Sequence, residues 1–163
     1  MIRRLSLRAI RRDEDGAALV EFALLLPTFL LFLGIAIEGG RTFWSYQTTI
    51  TGVRDAARFL SRAAPQDICA GGGSLGGWNA RLTDIVRNTQ GGGTLFPSSI
   101  RIDGVTATLD CAAGRFRGGA APVATVTAVL QIDYPFAGLF SMVGAAPANV
   151  TTVVTDRTRI LGA

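Results

Sequence analysis

The 163-residue chain sets 16 Lys+Arg against 12 Asp+Glu for a formal charge of +4, has no histidine, and is 48% hydrophobic with a mean hydropathy of +0.36. One modest domain plus an accessory segment suits that length, and the hydropathy is too high for a plain soluble protein of this size, so part of the chain is expected to meet lipid. Every basic residue is arginine, and without His or Lys the chain can build no Ser/His/Asp or Cys/His nucleophile arrangement, Walker A loop, Schiff base or His-containing metal site.

Residues 1–16 are polar and basic, with Arg3, Arg4, Arg8, Arg11 and Arg12 ahead of Asp13, Glu14 and Asp15. Without that segment the chain is close to neutral and its arginines are scattered, so the pI near 10.0 marks no nucleic-acid-binding face. Phe22 through Ile37 then run without a charge until Glu38, and with Ala17 to Val20 added the run reaches the roughly 20 residues that carry a helix across about 30 Å of hydrocarbon. The preceding arginines place the N-terminus on the cytoplasmic side and everything beyond Glu38 outside. GIAIEGGRTF offers no small-x-small cleavage site, which argues against an ordinary cleaved secretory signal. Beyond Gly39-Gly40, apolar residues recur at Phe43, Tyr46, Ile50, Val53, Ala57 and Leu60, one stripe along a helix, with Arg54, Asp55, Arg58 and Arg62 off it. The pattern predicts one long helix from residue 17 to about 62, bent at Pro27 and at Gly39-Gly40 and ended by Ala64-Pro65. Packing against the protein's own globular part and packing against neighbouring copies both account for the stripe.

GGGSLGG, residues 71–77, matches G-x-G-x-x-G through Gly71, Gly73 and Gly76, but no strand precedes it and it is read as a flexible loop. WNARLTDIVRNTQ is a second, short helix with Trp78, Leu82, Ile85 and Val86 on one face and GGG at 91–93 as terminator. The period then shortens: SIRIDGVTATLDC, VATVTAVLQIDY and NVTTVVTDRTRI read as three antiparallel strands. The expected class is α+β, a long N-terminal helix laid against a small sheet. PFAGLFSMVGAAP, between the last two strands, is apolar and long for a hairpin, and either covers the sheet edge or meets a partner. Of the two cysteines, Cys69 follows the long helix and Cys111 ends the first strand. In an oxidising compartment a Cys69–Cys111 disulfide is the default, with free thiols or a bridge between subunits as alternatives. Asn149-Val150-Thr151 is a formal glycosylation sequon and weak evidence alone.

The stretch DGAALVEFALLLPTFLLFLGIAIEGGRTFWSYQTTITGVRDAARFLSR, from residue 15 to about 62, resembles the TadE-like family of tight-adherence (Flp-type) pilus systems. The resemblance lies in a Gly placed five residues before a Glu-aromatic pair, an apolar run containing Leu-Pro, Glu-x-Gly-Arg, an aromatic pair, and Ala-Ala-Arg-Phe. It implies a minor pilin or pseudopilin at the inner membrane, cut by a prepilin peptidase and partnered by other pilin subunits and the assembly platform. It divides the chain into a leader (1–16), a transmembrane segment (17–38), an amphipathic extension (39–63) and a periplasmic α+β domain (64–163). Gly16 becomes the residue before the scissile bond, Ala17 the new N-terminus, and Glu21 with Phe22 the assembly determinant.

A carboxylate among apolar residues costs about 2.5–3.5 kcal/mol even on insertion scales, far less when paired. The implied role of Glu21 is to set register by meeting the new α-amine of a neighbour; an interfacial Glu favoured by the helix dipole is the alternative. Major pilins of these systems are similar but carry Glu-Tyr where this chain has Glu21-Phe22, and are much shorter, which favours a minor component. No cofactor or metal is expected, and the protein is an enzyme's substrate and no enzyme itself. An uncleaved, membrane-anchored periplasmic binding domain is the competing reading. Carboxylate-only catalysis would need acids converging in a cleft, whereas Asp103, Asp110, Asp133 and Asp156 lie singly along the expected strands.

Overall fold

The computed structural model describes residues 14–88, 90–114, 116, 119–141, 144 and 148–162; the arginine-rich start of the expected leader and most of the end of the apolar connection, 142–143 and 145–147, lie outside the described residues. The first element is α1 (Glu14–Ala63), a single 50-residue helix that continues through Pro27 and Gly39-Gly40. At about 1.5 Å per residue it is roughly 75 Å long. It is described from Glu14, three residues before the start that the hydrophobic pattern gives it. It stops where Pro65 forbids another turn, after Ala64 donates a last bond to the Leu60 carbonyl.

A turn-rich segment leads to a 3₁₀ turn (Gly76–Trp78) and to α2 (Asn79–Arg87). The expected flexible loop is pinned: Leu75 is buried, and Gly73 donates to the Ile68 carbonyl. Helix α2 buries Leu82 and Val86 and ends before the glycines, because Asn88 turns extended and its side chain bonds Asp84. Three antiparallel strands follow, β1 (Ile100–Ala112), β2 (Ala121–Asp133) and β3 (Asn149–Arg159), in spatial order β1-β2-β3, with the one-turn α3 (Ala137–Phe140) between the last two.

The fold is α+β in two layers, with α1 and α2 covering one sheet face. Central strand β2 alternates as a half-buried strand must, sending Ala124, Val126, Ala128, Leu130 and Ile132 into the core. In β1 the buried positions switch parity, from Ile100 and Ile102 to Val105, across a bulge between Ile102 and Gly104. Arg87 donates to the carbonyls of Ile102 and Asp103, which ties α2 to edge strand β1 at the bulge.

The helix stripe needs correction. Val53, Ala57 and Leu60 are buried as the spacing requires, together with Ala56, but Phe43 is 67% and Tyr46 39% exposed. Nearer the apolar run of α1, the buried residues are instead Ser45 and Thr49, both fully buried. Small side chains there let the helix lie close, and a Cβ on neighbouring Gly52 would come within 3.1 Å of the Val86 backbone of α2. Ser45 and Thr49 donate to carbonyls one turn back, at 2.6 and 2.8 Å, so neither hydroxyl is stranded in the core.

Candidate assembly helix and its clasp to the globular head

Helix α1 divides at Glu38. N-terminal to it the side chains meet almost nothing: Leu19, Phe22, Leu24, Phe29 and Phe32 are all more than 60% exposed, and the most apolar window of the helix is only 6% buried. A soluble helix with this composition would hide one face in a core. This one is apolar on all sides and long enough to cross a membrane. Gly16 and Ala17 lie near the described start of α1, and among the described residues a Cβ at Gly16 would meet nothing within 4 Å. Glu21 and Phe22 project from the exposed surface, and among the described residues Glu21 has no ion-pair partner. The fold therefore separates these four residues from the head, to which none of them contributes.

C-terminal to the divide, one carboxylate ties the helix down. Glu38 is 4% exposed; its Oε2 accepts from Arg41 at 2.8 Å and its Oε1 from the Phe136 backbone N–H at 3.2 Å. Arg41 also donates to Ser99 Oγ, next to the start of β1. Four residues from α1, from the turn before β1 and from the segment after β2 thus meet where the apolar run ends. The ion pair is satisfied on both sides, which makes burial of the charge tolerable. Sequence reading placed Glu38 only as the end of the apolar run and as part of Glu-x-Gly-Arg. The available signal was the acid and arginine at i and i+3 on a helix, a spacing that puts them side by side.

Cys69 and Cys111 are joined, with Cα atoms 5.8 Å apart, and fasten the segment after α1 to the end of β1 at the far pole of the head. Among the described residues no group of three or more His, Cys, Asp or Glu is placed to hold a metal ion.

A bare apolar helix of membrane-crossing length, continuous with an amphipathic half that forms the core of a small α+β head, defines a helix-anchored, single-head class of protein. A family model described as TadE-like protein matches residues 16–58, the family that the sequence resembles. The matched segment holds Gly16, Ala17, Glu21, Phe22 and the Glu38–Arg41 pair, and leaves the disulfide and the sheet outside it. No curated protein and no solved structure matches the chain.

Proposed function

We propose that the protein is a minor pilin or pseudopilin of a tight-adherence pilus, supporting pilus biogenesis and adhesion. It is made with a leader ending at Gly16, cut there by a prepilin peptidase, held in the bacterial inner membrane by residues 17–38, and assembled through α1 with other pilin subunits at the membrane platform. Residues 64–163 then lie in the periplasm. The observation that carries this reading is the exposed apolar surface of α1 between Gly16 and Glu38, which lies inside the TadE-like match and holds one carboxylate, Glu21. In the assembled bundle Glu21 meets the α-amine of Ala17 from a neighbour, which offsets the expense of a charge in lipid. The bond to be cut lies inside the first turns of α1, so the peptidase must unwind them. A glycine at position 16 weakens that turn by about 1 kcal/mol relative to alanine.

The deciding experiment is the intact mass and N-terminal sequence of the protein recovered from membranes of its native host. The expected terminus is Ala17, and Gly16→Val is expected to leave the precursor uncut. An intact Met1 terminus in wild-type membranes would instead support the uncleaved anchored domain. Glu21→Ala is expected to reach the membrane at normal levels and to lose assembled pili; unchanged piliation would remove the register role.

A further inference from the structure

We propose that the groove between α1 and the membrane-proximal end of the sheet is a lipid-contact surface, which seats the head on the leaflet from which α1 emerges. The groove, of about 710 Å³, runs from Ile35 past Phe43 and Tyr46 on α1 to Tyr134 and Val150 on the sheet side, and is almost entirely apolar. Three observations choose lipid as its occupant. Its lower wall, Ile35, belongs to the uncharged run of α1, so the groove continues the surface read as membrane-facing. Its height is fixed by the Glu38–Phe136 bond, which holds the segment after β2 beside the residue where the apolar run ends. No charged residue occurs between Asp133 and Asp156, and the exposed rings of Phe43, Tyr46 and Phe136 are of the kind that collects where hydrocarbon meets headgroups. Among the described residues the one buried charge at this level, Glu38, is already paired with Arg41. A patch of this character facing open water would be a liability.

The proposal rests on the reading of residues 17–38 as the membrane span, and the test separates the two. The full chain, with Trp44→Phe and Trp78→Phe to remove its two tryptophans while keeping aromatic rings against Phe96 and Phe59, is placed at one copy per lipid nanodisc. A single tryptophan is returned at Phe136→Trp, beside the groove where its backbone bonds the lining residue Glu38, or at Leu26→Trp in the span. With lipids brominated near the headgroup, Phe136→Trp emission is expected to fall about twofold, as for an indole at interfacial depth. Lipids brominated at the chain ends should quench Leu26→Trp instead. Quenching at Leu26 without quenching at Phe136 overturns the groove proposal and leaves the span standing, and loss of both overturns the span itself. Tyr46→Trp, on the opposite wall, carries the same expectation as Phe136→Trp and decides the matter if that variant does not fold. In crowded vesicles, blue-shifted groove tryptophans that brominated lipid no longer quenches would mean that a second copy fills the groove, which also overturns the proposal.

Discussion

Glu38 shows how one residue sets the angle between anchor and head. Its side chain is 5% exposed while that of Arg41 is 25%, so the pair is buried on the acid side and open on the arginine side. Glu38→Ala strips acceptors from Arg41 and from the Phe136 N–H, and hydrogen bonds to charged groups contribute about 1.5–3 kcal/mol each. A loss of about 2–3 kcal/mol in unfolding free energy is expected in detergent micelles. Arg41→Ala should be at least as damaging, since it leaves the carboxylate buried with the Phe136 N–H and no cation. The double variant should cost clearly less than the two singles together. Additive losses in that cycle would mean that the two side chains act independently and that no clasp exists.

Among the elements, the disulfide is the most exposed to direct test. It closes 42 residues of sequence separation, spanning the turn-rich segment, α2 and most of β1. Loop-closure entropy for that length is about 4 kcal/mol. Replacing both cysteines with serine, or adding reductant, should lower the thermal midpoint of the head by an amount corresponding to about 2–4 kcal/mol. The same change should leave membrane insertion intact, because Cys69 and Cys111 lie beyond the helix. An unchanged midpoint under full reduction would show that the head does not depend on the crosslink. How legible the elements were follows from their periods. The strands announce themselves through β-branched alternation, and α1 through a run too long and too apolar for anything but a helix. Two details were missed for physical reasons. The parity switch from Ile102 to Val105 across Gly104 is a bulge that a strict two-residue period conceals. The face of α1 laid on the sheet begins with Ser45 and Thr49, small hydroxylated residues that a search for apolar positions passes over in favour of Phe43 and Tyr46. Glu21 and Gly16 are visible through their pattern alone, as among the described residues nothing lies within reach of a Cβ at Gly16 and no ion pair forms with Glu21.

At the scale of the whole molecule, α1 carries both the apolar run of membrane-crossing length and a layer of the core, and this sets where the protein can be cut. Its second half supplies Val53, Ala56, Ala57 and Leu60 to the same cluster as β2, with Ala64 just beyond its end. Each larger side chain there contributes about 1.5–3 kcal/mol by burial. A domain of this size has only about 5–15 kcal/mol of net stability, so the sheet and α2 cannot spare that layer. A version beginning at Ile37 keeps the Glu38 clasp, the buried Ser45 and Thr49, and the whole core layer. It should fold without lipid, unfold cooperatively, and show the near-ultraviolet dichroism of packed aromatics such as the Phe59–Trp78 pair. A version beginning at Pro65 keeps every strand and the disulfide but exposes the inner face of β2, and it should aggregate or remain unfolded. Cooperative unfolding of that shorter version would show that the sheet is an independent domain and that α1 merely leans on it. Its failure, beside the success of the longer one, would mean that any motion imposed on the anchor in the membrane reaches the head through a continuous helix, with no flexible joint between them.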